Sequence, residues 1–150
     1  MNNNCNLSAF FVTTENGNQR MGYVNTDQKV CIAPIYYAVV KLPNNKTVFN
    51  HDGIFKNDLA VVMNADGKFG LINPDGDVVV NLRYDSLSNV ITNGMIFFRE
   101  GTTCGFMRLD ESTVLEYPNC TSLQLKEGTI YSVEYENGKK KIEVDLSSIQ

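Results

Sequence analysis

The sequence predicts an all-β fold built from antiparallel hairpin repeats. Three observations carry that expectation: a short unit recurs, turn signals punctuate the chain, and no stretch of ten or more residues keeps helical periodicity free of Gly, Pro or Asn clusters. The unit Gly22-Tyr23-Val24-Asn25-Thr26-Asp27-Gln28-Lys29-Val30-Cys31-Ile32 is answered by Gly70-Leu71-Ile72-Asn73-Pro74-Asp75-Gly76-Asp77-Val78-Val79-Val80. It returns as Gly105-Phe106-Met107-Arg108-Leu109-Asp110-Glu111-Ser112-Thr113-Val114-Leu115. Each copy reads as glycine, a strand-like triplet, a turn containing Asp, and a second strand-like run. Stacking such a unit gives an open array or a barrel-like closure.

Taken in order, the strand candidates are Ser8–Thr14, Arg20–Asn25, Leu59–Met63, Lys68–Asn73, Asp77–Val80, Met95–Glu100, Cys104–Leu109, Thr129–Glu136 and Lys140–Leu146. Asn16-Gly17 and Asn137-Gly138 mark hairpins whose two central residues accept positive φ. Asn64-Ala65-Asp66-Gly67-Lys68 and Asn73-Pro74-Asp75-Gly76-Asp77 read as type I turns closed by a left-handed glycine. The Val78-Val79-Val80 run predicts a strand buried on both faces. Along the last strand, Ile142, Val144 and Leu146 alternate with Lys141, Glu143 and Asp145, which predicts a half-exposed strand.

Composition sets limits on the class. A chain of 150 residues with 43% hydrophobic and 20% charged side chains is expected to be one globular domain, 1–150, with residues 1–6 disordered. A net charge of −4 argues against a nucleic-acid partner, which needs concentrated Lys and Arg. No apolar run is long enough for a membrane span, and the N-terminus lacks the pattern of a signal peptide. The expected location is the cytoplasm, with Cys5, Cys31, Cys104 and Cys120 as buried free thiols; a disulfide framework is the alternative.

The repeat glycines are unevenly spaced: 48 positions separate Gly22 from Gly70, and 35 separate Gly70 from Gly105. The surplus falls in Lys41–Asp58, an insertion read either as a functional loop or as a longer hairpin with Thr47-Val48-Phe49 as an added strand.

The second unit, from Asp66-Gly67-Lys68-Phe69-Gly70-Leu71-Ile72-Asn73 to Leu82-Arg83-Tyr84-Asp85, resembles the WG-repeat family. The first unit, with Arg20-Met21-Gly22-Tyr23-Val24-Asn25 and Ala33-Pro34-Ile35-Tyr36, is similar. In the third, Cys104 precedes the glycine and Asn119 stands where the tyrosine is expected. Asn137–Ile142 looks like a truncated fourth copy, giving about 3.5 WG-like units. The family's tryptophan is replaced by Met21, Phe69 and Cys104. Phe69 and Met21 are expected to pack over the glycine of an adjacent unit. The resemblance implies a β-repeat binding module without catalytic residues or cofactor.

The only histidine, His51, sits beside Asp52 without a second ligand or a nucleophile elbow, so a solvated loop histidine is favoured over a catalytic base. Neither a phosphate-binding loop nor a zinc spacing is present, and no metal site is expected. The reading is a non-enzymatic protein-interaction module, such as a small inhibitor, immunity or adaptor protein acting on a bacterial or phage-related enzyme. Its candidate binding residues are Tyr36, Tyr37, Phe49, His51, Phe55, Arg83 and Tyr84. The competing classes are a hydrolase using carboxylates on a β scaffold and a ligand- or glycan-binding β domain.

Overall fold

A five-residue turn is the local device that shapes this chain. In a computed structural model, which describes residues 6–50 and 52–149, it recurs at Thr14–Asn18, Asn25–Lys29, Leu42–Lys46, Asn64–Lys68, Asn73–Asp77 and Arg108–Ser112. In each, the first residue's N–H donates to the fifth residue's carbonyl, and the fourth residue's N–H donates to the first residue's carbonyl. The fourth residue always has positive φ, whether it is Gly17, Gln28, Asn45, Gly67, Gly76 or Glu111. Where Asn opens the turn, its Oδ1 accepts two further backbone N–H groups, as Asn73 does from Asp75 and Asp77 at 3.0 and 2.9 Å. That bonding explains the choice of Asn. Asn16-Gly17 is therefore a five-residue turn with only Gly17 at positive φ, while at Asn137-Gly138 both residues take it, as expected.

The first five of these turns join consecutive strands, β4 to β5 excepted, among β1 (Ser8–Thr13), β2 (Gln19–Val24), β3 (Val30–Lys41), β4 (Thr47–Phe49), β5 (Ala60–Met63), β6 (Phe69–Ile72) and β7 (Val78–Tyr84). They form one antiparallel sheet in the order β1-β2-β3-β5-β6-β7, with β4 paired to β3. Strands β8 (Ser86–Leu87), β9 (Met95–Glu100), β10 (Thr103–Arg108) and β11 (Thr113–Tyr117) form a second sheet. Strands β12 (Ser122–Glu127), β13 (Ile130–Tyr135) and β14 (Lys140–Asp145) form a third, followed by a 3₁₀ turn, Leu146–Ser148. The fold is all-β and antiparallel, and none of these sheets closes into a barrel. The chain falls into two compact units, one ending at Tyr84 and one beginning at Asp85. The disorder expected for 1–6 falls, Asn6 apart, outside the described residues. Among the described residues, no helix is long and apolar enough to cross a membrane.

The repeat is a three-stranded meander, and its glycine has a steric cause. A Cβ on Gly22 would lie 2.6 Å from the Ile32 carbonyl oxygen, on Gly70 2.5 Å from that of Val80, and on Gly105 2.0 Å from that of Leu115. Each contact is with the third strand of the same unit, close to a register shift in that pairing. The glycine thus admits its own neighbouring strand. The expected packing of Met21 and Phe69 onto another unit's glycine is not what makes it necessary.

Opposite the residue before each glycine stands a tyrosine: Met21 faces Tyr36, Phe69 faces Tyr84 and Cys104 faces Tyr117. Tyr117, not Asn119, is therefore the third repeat tyrosine. The interval from glycine to tyrosine is two residues shorter in that unit. The fourth meander, β12-β13-β14, has no glycine in its central strand.

Each unit has its own core. In the first, Met21, Tyr23, Ile32, Tyr36, Ala60, Val62 and Ile72 pack together; in the second, Met95, Cys104, Phe106, Tyr117, Cys120, Val133 and Leu146. Cys104 and Cys120 are joined by a disulfide, with Cα atoms 5.9 Å apart, and Cys31 is free and exposed. The expectation of buried free thiols is corrected at Cys31, Cys104 and Cys120, and Cys5 lies outside the described residues. Cys31 points outward because its neighbour Ile32 takes the core face. Val78 is exposed and only Val80 of its run is fully buried, so β7 does not bury both faces as expected.

Candidate functional site

The insertion that interrupts the repeat is a structured element. Its first half is the added hairpin: β4 pairs with the end of β3, with Phe49 opposite Val39 and Thr47 opposite Lys41. The Lys41 N–H donates to Asn18 Oδ1 at 2.9 Å, which ties the hairpin to the β1–β2 turn. Beyond it, the Asn50 N–H bonds the Ala38 carbonyl, and Asn50 Nδ2 bonds the Val61 carbonyl, both at 2.9 Å.

The second half is bound down at Gly53. Tyr23, fully buried, donates its hydroxyl to the Gly53 carbonyl at 2.6 Å. Phe55 packs on the Tyr23 ring with centroids 4.9 Å apart. Gly53 has φ of +68°, and a Cβ there would meet Met21 Sδ at 2.8 Å, so only glycine fits between loop and core. Lys56 and Leu59 then close a tight turn through paired backbone bonds of 2.8 and 2.9 Å, with Asn57 and Asp58 both at positive φ.

Burial, and then the negative charge of Asp52, hold the Tyr23 hydroxyl protonated well above its ordinary range, which keeps it a donor. Burial likewise raises Tyr36, and raises Tyr117 with a contribution from Tyr135. Tyr23→Phe leaves the ring contacts and removes one buried hydrogen bond. It is expected to lower stability by about 1–2 kcal/mol and to speed amide exchange at Gly53–Phe55. Denaturant unfolding with hydrogen exchange checks both, and unchanged exchange in that segment would refute the anchoring role.

The seven candidate binding residues separate sharply. Tyr36 and Tyr84 are 7% and 2% exposed, so they are core side chains and cannot act as surface contacts. Tyr37 is half-buried, with the Arg20 guanidinium 5.6 Å from its ring centroid. Arg83 is exposed and stacks over Tyr84 at 5.1 Å. Phe55 faces inward as the loop's anchor. His51 lies outside the described residues. Phe49 is the one described aromatic among them that is exposed, at 65%. Sequence reading missed Ile54, 56% exposed on the same insertion, because one isoleucine between Gly53 and Phe55 carries no periodic signal.

The insertion presents two apolar side chains on a backbone fixed at Asn50, Gly53 and Phe55. Among the described residues, no three His, Cys, Asp or Glu side chains gather into a group able to hold a metal ion.

A family model described as WG containing repeat matches residues 69–101, from the start of β6 to one residue past the end of β9. No curated protein matches the chain. The resemblance read from the Phe69-Gly70 unit stands on that stretch.

Proposed function

From the premise that residues 69–101 are a WG-containing repeat, we propose that this protein works as a non-enzymatic binding module for another protein. The observation that supports it is the insertion, which holds Phe49 and Ile54 in solvent on a loop clamped to the core through Tyr23 and Phe55. Exposed large apolar side chains on a rigid support are the common anchor of protein interfaces. A role as inhibitor, immunity protein or adaptor is the finer form of this reading, with the insertion as the contacting surface.

The Cys104–Cys120 disulfide supports an oxidising compartment, in place of the reduced thiols that go with the cytoplasmic location expected from the absence of an export signal.

Phe49→Asp with Ile54→Asp is expected to leave the thermal midpoint within a few degrees of wild type, since both side chains are already solvated. The double variant should fail to recover a stoichiometric protein partner that the wild-type chain recovers from the native cell. Equal recovery by both proteins, or recovery of no partner by the wild type, would sink the reading.

A further inference from the structure

We propose that strand β1 is a self-association edge, on which a second copy of this chain adds antiparallel and continues the seven-stranded sheet. β1 ends the strand order of that sheet, so one side of its backbone has no strand partner among the described residues. Proteins usually blunt such an edge with charge, proline or brevity. Most other outer strands here follow that rule. β7 carries Arg83, β11 Glu116, β12 Lys126 and Glu127, and β14 Lys140, Lys141, Glu143 and Asp145; β4 and β8 have three and two residues. β1, Ser-Ala-Phe-Phe-Val-Thr, has six residues and none of these devices.

Its side chains say how the edge would be covered. Phe11 lies opposite Met21 in the register, so it shares the face that Met21 buries in the core. Met21 is 1% exposed, yet Phe11 is 53% exposed, because the core face runs out at β1. An identical strand supplies what is missing. Antiparallel pairing about a two-fold axis at Phe11 sets Phe11 against Phe11, Phe10 against Val12 and Ala9 against Thr13. Every large side chain meets another large one, and no like charges meet. An isologous contact of this kind closes at the dimer. A six-residue ladder is small beside a standard interface, so the association is weak.

Sedimentation equilibrium from about 10 µM to about 1 mM tests it, a range that brackets weak dimers. Wild type is expected to shift from monomer to dimer across the range. Phe11→Lys should weaken the dimer about tenfold or more by placing like charges across the axis. Thr13→Lys, at the exposed end of the strand, is a second charged variant should Phe11→Lys unfold. A cross-link fixes the register. With Cys5 and Cys31 replaced by serine, Phe11→Cys should oxidise to a covalent dimer, because facing Cα atoms at ~5 Å are within disulfide reach. Ala9→Cys, facing Thr13 instead, should not. A wild-type monomer at every concentration, a dimer indifferent to both lysine variants, or equal cross-linking at positions 9 and 11 would overturn the proposal.

Discussion

Breaking the Cys104–Cys120 disulfide is expected to cost the second unit about 3 kcal/mol, the entropic value of a closed loop near its 16-residue separation. The bond links the central strand of the third repeat to the segment entering β12. Both sulfurs lie in the core, with Tyr117 and Val133 in the same cluster. Cys104 also occupies the position before the repeat glycine that Met21 and Phe69 hold in the other units. The disulfide thus joins by a covalent bond what a large ring would hold by contact area. Reduction, or Cys104→Ser with Cys120→Ser, should lower the urea midpoint. It should also raise amide exchange in β10, β11 and β13. An unchanged midpoint would show that packing alone holds these strands, and a non-reducing peptide map should recover the two cysteines linked.

Gly105→Ala should be as costly, at about 3 kcal/mol or more. The added carbon would sit 2.0 Å from the Leu115 carbonyl oxygen, and a backbone atom cannot rotate away as a side chain can. Gly101→Ala separates the two reasons for glycine. Gly101 has φ of +64° with nothing within 4 Å of a Cβ, so alanine there meets only the strain of the left-handed conformation, about 1–2 kcal/mol. Gly70→Ala, with its nearest contact at 2.5 Å, should fall between or match Gly105→Ala. Thermal midpoints rank the three. A Gly105→Ala protein no less stable than Gly101→Ala would mean that β11 moves aside freely.

Particular residues explain what could be read from the chain and what could not. Most hairpin turns were legible because Asn and Gly are forced by the turn's own bonding. The start of β3, Val30-Cys31-Ile32, was legible as the repeat's second run, but its continuation to Lys41 was not, because Pro34 argues against a strand; the proline sits where the β2–β3 register shifts. Tyr117 was missed because repeats were compared at fixed spacing, and a sheet matches cross-strand position instead. The disulfide was missed because each cysteine was judged by its sequence neighbours, whereas a sharp return after β11 brings the pair together. At the candidate site, the insertion and Phe49 were legible from spacing and composition. Which aromatics face inward depends on register, and a tyrosine of the core reads in sequence like a tyrosine of the surface.

The order of strands within each sheet carries a consequence for how the chain reaches this state. Nearly every strand pairs with the one just before or after it along the chain, and the longest detour between partners is the insertion from β3 to β5. Contacts of short sequence separation require little loop-closure entropy before they form. A β protein wired in this way belongs at the fast end of its class, since the long-range pairing that slows sandwiches and barrels is absent from its sheets. Each meander can zip from its own turn as it leaves the ribosome. The step left for last is then the oxidation of Cys104 and Cys120, a chemical reaction on a slower clock than the strands it joins.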